Sequence, residues 1–218
     1  MAGQRAQGQR DLGGGYVTLG LLGAVEQESN LTQRTLAVRL GIALGLTNAL
    51  IKRCARKGLI KIQQAPAGRY VYYLTPRGFA EKSRLTAEYL KASLDFYRVS
   101  RTQAAVVFEG CHARGWRRVA LAGASELAEI VSLAAREVGI EIVALVDGDA
   151  QGSQRMGIPV VRHLDEIDGV DAIMVTDITA PQQTYERLRN GFEDHRVLTL
   201  PLLRVSRIER DGHGGGGT

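Results

Sequence analysis

Apolar positions recur with a period near 3.6 from Tyr16 to Gly58, then alternate over residues 57–78 around Ala65-Pro66-Ala67-Gly68. Helical spacing returns at Pro76, a good first-turn residue after Thr75, and runs through FAEKSRLTAEYLKASLDFYRVSRTQAAVVFEGCHARG, with Gly110 and Gly115 as points of interruption. Past Trp116 the pattern changes to strand, helix, strand: RRVALAG, SELAEIVSLAAREVG, IEIVALVDGD, IPVV, LDEIDG, DAIMVTD, a helix from Pro181 to Asn190, and RVLTLP. Strands alternating with helices of this length predict a parallel sheet covered on both faces. The expected fold class is α/β overall. It comprises a flexible arm (1–15), a winged helix-turn-helix (16–75), long linking helices (76–115), a small Rossmann-like parallel α/β domain (116–207) and a flexible tail (208–218).

Within residues 31–60, Thr32 caps a short helix that carries Gln33 and Arg34 in its first turn and reaches Leu40. Gly41-Ile42-Ala43 makes a tight turn, and a second helix runs to Lys57, where Gly58 stops it. On that second helix Thr47, Leu50, Ile51 and Cys54 share one side, whereas Leu44, Asn48, Lys52 and Arg56 recur on another. The first set should pack and the second should face outward.

Charge sharpens this picture. Residues 1–118 carry 19 Lys and Arg against 7 Asp and Glu, whereas residues 119–218 carry 9 against 16. A basic half joined to an acidic half implies that one part meets a polyanion, double-stranded DNA being the expected partner. An outward Asn48 can pair with adenine, Lys52 and Arg53 can neutralise phosphates, Gly45 permits close backbone approach, and Arg69 flanks the tip of the wing. The candidate DNA-binding residues are therefore Thr32, Gln33, Arg34, Ala43, Leu44, Gly45, Asn48, Ala49, Lys52, Arg53 and Arg69. Cys54 and Cys111 stand in helical segments without CxxC spacing, so buried thiols are expected and no metal site. No run of about 18 apolar residues and no signal-peptide core occurs, and the expected location is the cytoplasm, away from a membrane.

The stretches LTQRTLAVRLGIALGLTNALIKRCARKGLIKI and YVYYLTPRGFAEKSRLTAEYL resemble the MarR-like winged-helix regulators found with exopolysaccharide biosynthesis genes. The resemblance spans about residues 17–98 and rests on TQR at 32–34, LGxxLGxxN at 40–48, KGLIK at 57–61 and YxYxLTPxGxxEKxxLT at 70–86. It implies a recognition helix beginning near Ala43. Leu85, Tyr89, Leu90, Leu94, Tyr97, Val106, Val107 and Cys111 form an apolar stripe on the linking helices, for which a homodimer is the expected use.

In the acidic half, VALAGASELAEI reads as a strand running through a glycine turn into a helix. The dinucleotide fingerprint is GxGxxG with an acidic residue about 20 positions on. Here Gly123 is the first glycine, Ser125 stands at the second, Ala128 at the third, and Asp147 follows 24 residues after Gly123. Ser125 puts a side chain, and Glu126 a negative charge, where a pyrophosphate wants bare backbone. The same loop also serves as the first turn of any doubly wound domain, with no ligand. Residues 117–178 resemble the Rossmann-like N-terminal modules of sugar-modifying acyltransferases and polysaccharide biosynthesis proteins. That resemblance implies a nucleotide, nucleotide-sugar or acyl-CoA-type effector against Gly123, Ala124, Ser125, Glu126, Leu127, Asp147, Thr176 and Asp177.

Catalysis is not expected. The acidic half has no Lys, its one Tyr is Tyr185 in a predicted helix, and His163 and His195 fall in loops without a paired group. The reading is a regulator that binds DNA as a dimer, with an α/β domain that senses a small molecule or serves in assembly. A Rex-like NAD(H)-responsive repressor is the alternative. An interaction adaptor and a nucleotide-sugar enzyme are the alternatives of another class.

Overall fold

The computed structural model describes residues 2–66, 69–148 and 154–207, without the side chains of residues 2–13, Ala65 and Arg69. The tail set at 208–218 lies outside the described residues. Two compact units divide the chain between Leu94 and Asp95.

The first unit holds α1 (Ala2–Gln27), α2 (Gln33–Leu40), α3 (Leu44–Arg56), β1 (Ile60–Ala65), β2 (Arg69–Leu74) and the start of α4 (Pro76–Ala113). The backbone of 2–15, expected as an arm, continues α1. Thr32 caps α2, its Oγ1 accepting from Thr35 N at 3.0 Å. Gly41 ends α2 at φ 61°, with its own N–H on Val38 O and that of Ile42 on Ala37 O. This left-handed residue satisfies the last carbonyls and lets the chain turn through 104° between α2 and α3, within the range of helix-turn-helix units.

β1 and β2 pair antiparallel from Ile60 opposite Leu74 to Ala65 opposite Arg69, which is the predicted hairpin. The core joins Leu21, Leu22 and Val25 of α1, Leu31, Leu36 of α2, Leu50, Ile51 and Cys54 of α3, and Leu59, Ile60, Tyr72 and Leu85. Ion pairs Arg39–Glu28 at 2.7 Å and Lys82–Glu26 tie its rim, but such exposed pairs add little.

The junction between wing and α4 explains the LTPxG motif. Thr75 N donates to Leu59 O at 3.1 Å, while Thr75 Oγ1 donates to Gly58 O at 2.6 Å and accepts from Gly78 N at 3.0 Å, capping the helix that Pro76 begins. A Cβ on Gly78 would lie 2.0 Å from Leu59 O. Glycine is needed there because another backbone occupies the space.

α4 continues through Gly110 without a break and ends at Ala113, and Gly115 follows at φ 77°. Its stripe is divided in use. Leu85 belongs to the first core and Cys111 to the second, whereas Tyr89, Leu90, Leu94, Tyr97 and Val106 remain exposed. Both cysteines are buried, as expected, and burial pushes both thiols up from the ordinary range.

The second unit adds β3 (Arg118–Ala122), α5 (Glu126–Glu137), β4 (Glu141–Val146), β5 (Gln154–Arg155), β6 (Ile158–Val161), β7 (Ala172–Val175), α6 (Pro181–Arg189) and β8 (Val197–Leu198). The sheet order is β5-β6-β4-β3-β7-β8, parallel except for the antiparallel edge strand β5. The expected parallel sheet is present. The LDEIDG segment, between two strands, forms a 3-10 turn over Leu164–Glu166. Two cores flank the sheet: Val119, Leu121, Leu145 and Met174 meet α5 and the end of α4, while Ala120, Ile173, Val175 and Val197 meet α6.

Candidate nucleic-acid interface and sheet-end site

The amphipathic pattern of α3 settles which side it buries. Thr47, Leu50, Ile51 and Cys54 are buried, and Thr47 Oγ1 donates back to Ala43 O at 3.2 Å. Ala43, Leu44, Gly45, Leu46, Ala49, Lys52, Arg53 and Arg56 are exposed, with Asn48 half-buried at the edge of that surface. At 100° per residue, Gly45, Ala49, Lys52 and Arg56 point most directly away from the buried side, and Leu44 with Asn48 borders them. Nothing lies within 4 Å of a Cβ built on Gly45.

Thr32 and Arg34 are exposed at the start of α2, and Gln33 is half-buried. The exposed Arg53 donates to Thr18 Oγ1 of α1 at 3.3 Å, so its guanidinium is turned toward α1. The Arg69 side chain lies outside the described residues. Three large apolar side chains on the helix pair are left uncovered by the fold: Val38 is 78% exposed, Leu46 62% and Leu44 44%.

At the other site, β3 and β7 are neighbours from which the sheet runs in opposite directions, so their carboxyl ends mark the point where strand order reverses. The predicted residues gather there. Thr176 Oγ1 is within hydrogen-bond distance of Gly123 O at 2.7 Å and of Ala122 O at 3.1 Å. Ser125 Oγ donates to Thr176 O at 2.5 Å and accepts from Leu127 N at 3.1 Å and Ala128 N at 3.4 Å, capping α5. Ala124 N donates to Asp147 Oδ2 at 2.8 Å. Gly123 has φ 107°, and a Cβ on it would lie 2.6 Å from Asp177 N, so loop and strand end touch backbone to backbone.

The consequence is chemical. Amides that a dinucleotide fold offers to a pyrophosphate are here engaged by the protein: Ala124 N by a carboxylate, Leu127 N and Ala128 N by the Ser125 hydroxyl. The Leu127 side chain is fully buried in the core, and Glu126 is exposed. Asp177 is likewise engaged, accepting from Thr179 N at 2.8 Å, Ala180 N at 3.1 Å and Thr184 Oγ1 at 2.7 Å. Burial works to raise its carboxyl, but these hydrogen bonds and Arg187 hold it below the usual carboxylate range.

Arg155, on the edge strand, had no sequence signal. Its guanidinium donates to Ala124 O and to Glu129 Oε1, the latter at 2.7 Å, fastening the β5–β6 hairpin over the turn. Tyr185 is fully buried and donates to Asp194 Oδ1 at 3.0 Å; burial and that carboxylate push its hydroxyl up. The His163 backbone N–H donates to Glu166 Oε1 at 2.8 Å, and the His195 ring lies 6.1 Å from Trp116. Among the described residues, no group of three or more His, Cys, Asp or Glu could hold a metal ion. No single described helix is long and apolar enough to cross a membrane.

Residues 16–61 match the family model for winged helix-turn-helix DNA-binding domains, the segment that holds the end of α1, α2, α3 and the start of the wing. A search of curated proteins returns no match. Among solved structures, the chain is similar to MepR, a transcription regulator of the Staphylococcus aureus multidrug efflux pump MepA. The identity is 27% over 38% of this chain and 59% of that one, with a TM-score of 0.33. A crystal structure of the MepR–DNA complex gives 25% identity over 39% and 60%, also at 0.33. The PcaV transcriptional regulator from Streptomyces coelicolor gives 22% identity over 52% of this chain and 93% of that one, with a TM-score of 0.39. The chain spans about three fifths of the length of MepR. The first unit is thus a winged helix-turn-helix domain, on its own geometry and on the family match.

Proposed function

We propose that this chain is a DNA-binding transcription regulator of the MarR-like type, working as a homodimer. The observation that carries the reading is the partition of α3: one side fills the core, while the other offers small residues, one amide and a basic end to a groove. The basic first half and the family match over 16–61 agree with it. Tyr16, Tyr89, Leu90 and Leu94, each about half exposed, support the dimer, with Tyr16 and Tyr89 rings 5.5 Å apart. By resemblance, the regulated process is surface polysaccharide production.

The α/β unit has the role of an assembly surface in this reading. The engaged amides of Ala124, Leu127 and Ala128 support that role over a tight dinucleotide sensor of the Rex type. Fluorescence anisotropy with random duplex tests the main reading: log K should fall linearly with log salt, and no binding at about 50 mM salt overturns it. Lys52→Ala should lower the salt slope by about 1. A thermal-shift series with NADH, a UDP-sugar and acyl-CoA on the full chain tests the second part, and a saturable stabilisation by any of them overturns the assembly role.

A further inference from the structure

Recognition helices meet base edges mostly with their first turns, and the commonest specific contact is Arg or Lys bidentate to guanine. The first two turns of α3, Leu44 to Ile51, read LGLTNALI and contain no charged residue; the cations begin at Lys52. What these turns present outward is Leu44, Gly45 and Ala49, with the half-buried Asn48 as the one amide. Leu44 stays 44% exposed at the start of the helix, so the unit leaves an apolar side chain uncovered beside Gly45. In the major groove the one apolar feature of a base edge is the thymine C5-methyl, and an Asn amide matches the N6 and N7 edge of adenine.

We propose that the base pairs met by the first two turns of α3 are A·T. Thymine methyls lie against Leu44 and Ala49, one adenine is read by Asn48, and these turns contact no guanine. Gly45 and Ala49 lack bulk, so the helix axis can approach closely enough for methyl contact, while Lys52 and Arg56 hold phosphates beyond the read pairs. The proposal rests on the DNA-binding reading and names the chemistry that reading selects.

The test uses the full chain. Sites are selected from a random duplex pool, and the selected half-site is then remade with deoxyuridine in place of each thymine. Runs of A·T at the centre of each half-site are expected. A uracil that replaces a contacted thymine should weaken binding about fourfold, the value of one buried methyl group. The penalty should shrink in Leu44→Ala, and Asn48→Ala should weaken the selected site by about 5- to 150-fold and random duplex by much less, equal losses showing that Asn48 reads no base. G·C pairs at the half-site centres, or equal affinity for thymine and uracil sites, overturn the proposal and leave DNA binding intact. Loss of all salt-dependent duplex binding instead removes the underlying reading as well.

Discussion

Replacing Gly78 with Ala separates two physical effects that act in opposite directions. Gly78 stands in the first turn of α4, where helix propensity alone favours Ala by about 1 kcal/mol. In this structure the added Cβ would lie 2.0 Å from Leu59 O and 2.8 Å from a Leu74 methyl. Restoring ordinary contact requires more than about 1 Å of movement, and the obstacle is a backbone carbonyl that cannot rotate away as a side chain could. That carbonyl also accepts from Thr75 N, so displacing it strains a bond worth about 1 kcal/mol. Overpacking adds about 1–3 kcal/mol. The net expectation is a loss of about 1–3 kcal/mol from the first unit. The molecule carries its own control, because its single tryptophan, Trp116, lies in the second unit. In urea, the far-UV transition of the helix-rich first unit should move to lower denaturant, while the Trp116 fluorescence transition stays in place. A Gly78→Ala chain as stable as the parent, or more so, would refute the assignment of this glycine to close backbone approach.

Two further outcomes follow from the second unit. Ser125→Ala removes the α5 cap and the bond to Thr176 O, and should cost about 1–2 kcal/mol in the Trp116-monitored transition without any ligand present; an unchanged midpoint would show that the hydroxyl does not cap the helix. The Asp171 carboxyl is held low by the amides of Arg117 and Arg118, and that of Asp177 is held low despite its burial. A depressed folded-state pKa contributes stability above the unfolded value, so the contribution is present at neutral pH and is lost as pH falls from about 5 through the folded values. Asp171→Asn should flatten this acid limb of the second unit's stability curve, and an equally steep limb would show that other groups set it.

Much of the fold was legible because its signals are local. The buried quartet Thr47, Leu50, Ile51 and Cys54 follows from helical spacing, and the ends of α2 and α3 follow from Thr32, Gly41 and Gly58. The strands of the second unit were readable as short apolar runs because a parallel sheet buries both faces. What was not legible depends on distant backbone. No spacing in the sequence says that Gly78 faces Leu59 O, or that Gly123 faces Asp177 N. The β5–β6 hairpin carries no turn signal, because its turn is Met156-Gly157, with Met156 at φ 55°, a conformation that Asn or Gly signals and Met does not. Arg155 therefore had no motif around it.

The two sites differ in how far folding alone accounts for their residues. At the sheet end, Gly123 is required by the Asp177 backbone, Ser125 by the α5 amides and Asp147 by Ala124 N, so each residue that resembles a nucleotide fingerprint has work inside the domain. On α3 the situation is reversed. Burying Leu50 and Ile51 explains one side of the helix, but nothing within the unit calls for leaving Leu44 and Leu46 in water beside Gly45 and Ala49. Partly exposed apolar groups next to small residues and a cationic end are consistent with the proposed groove that offers methyl groups between phosphates. The residues left without internal work lie on α3, which supports the proposed reading of that surface as the DNA-binding one.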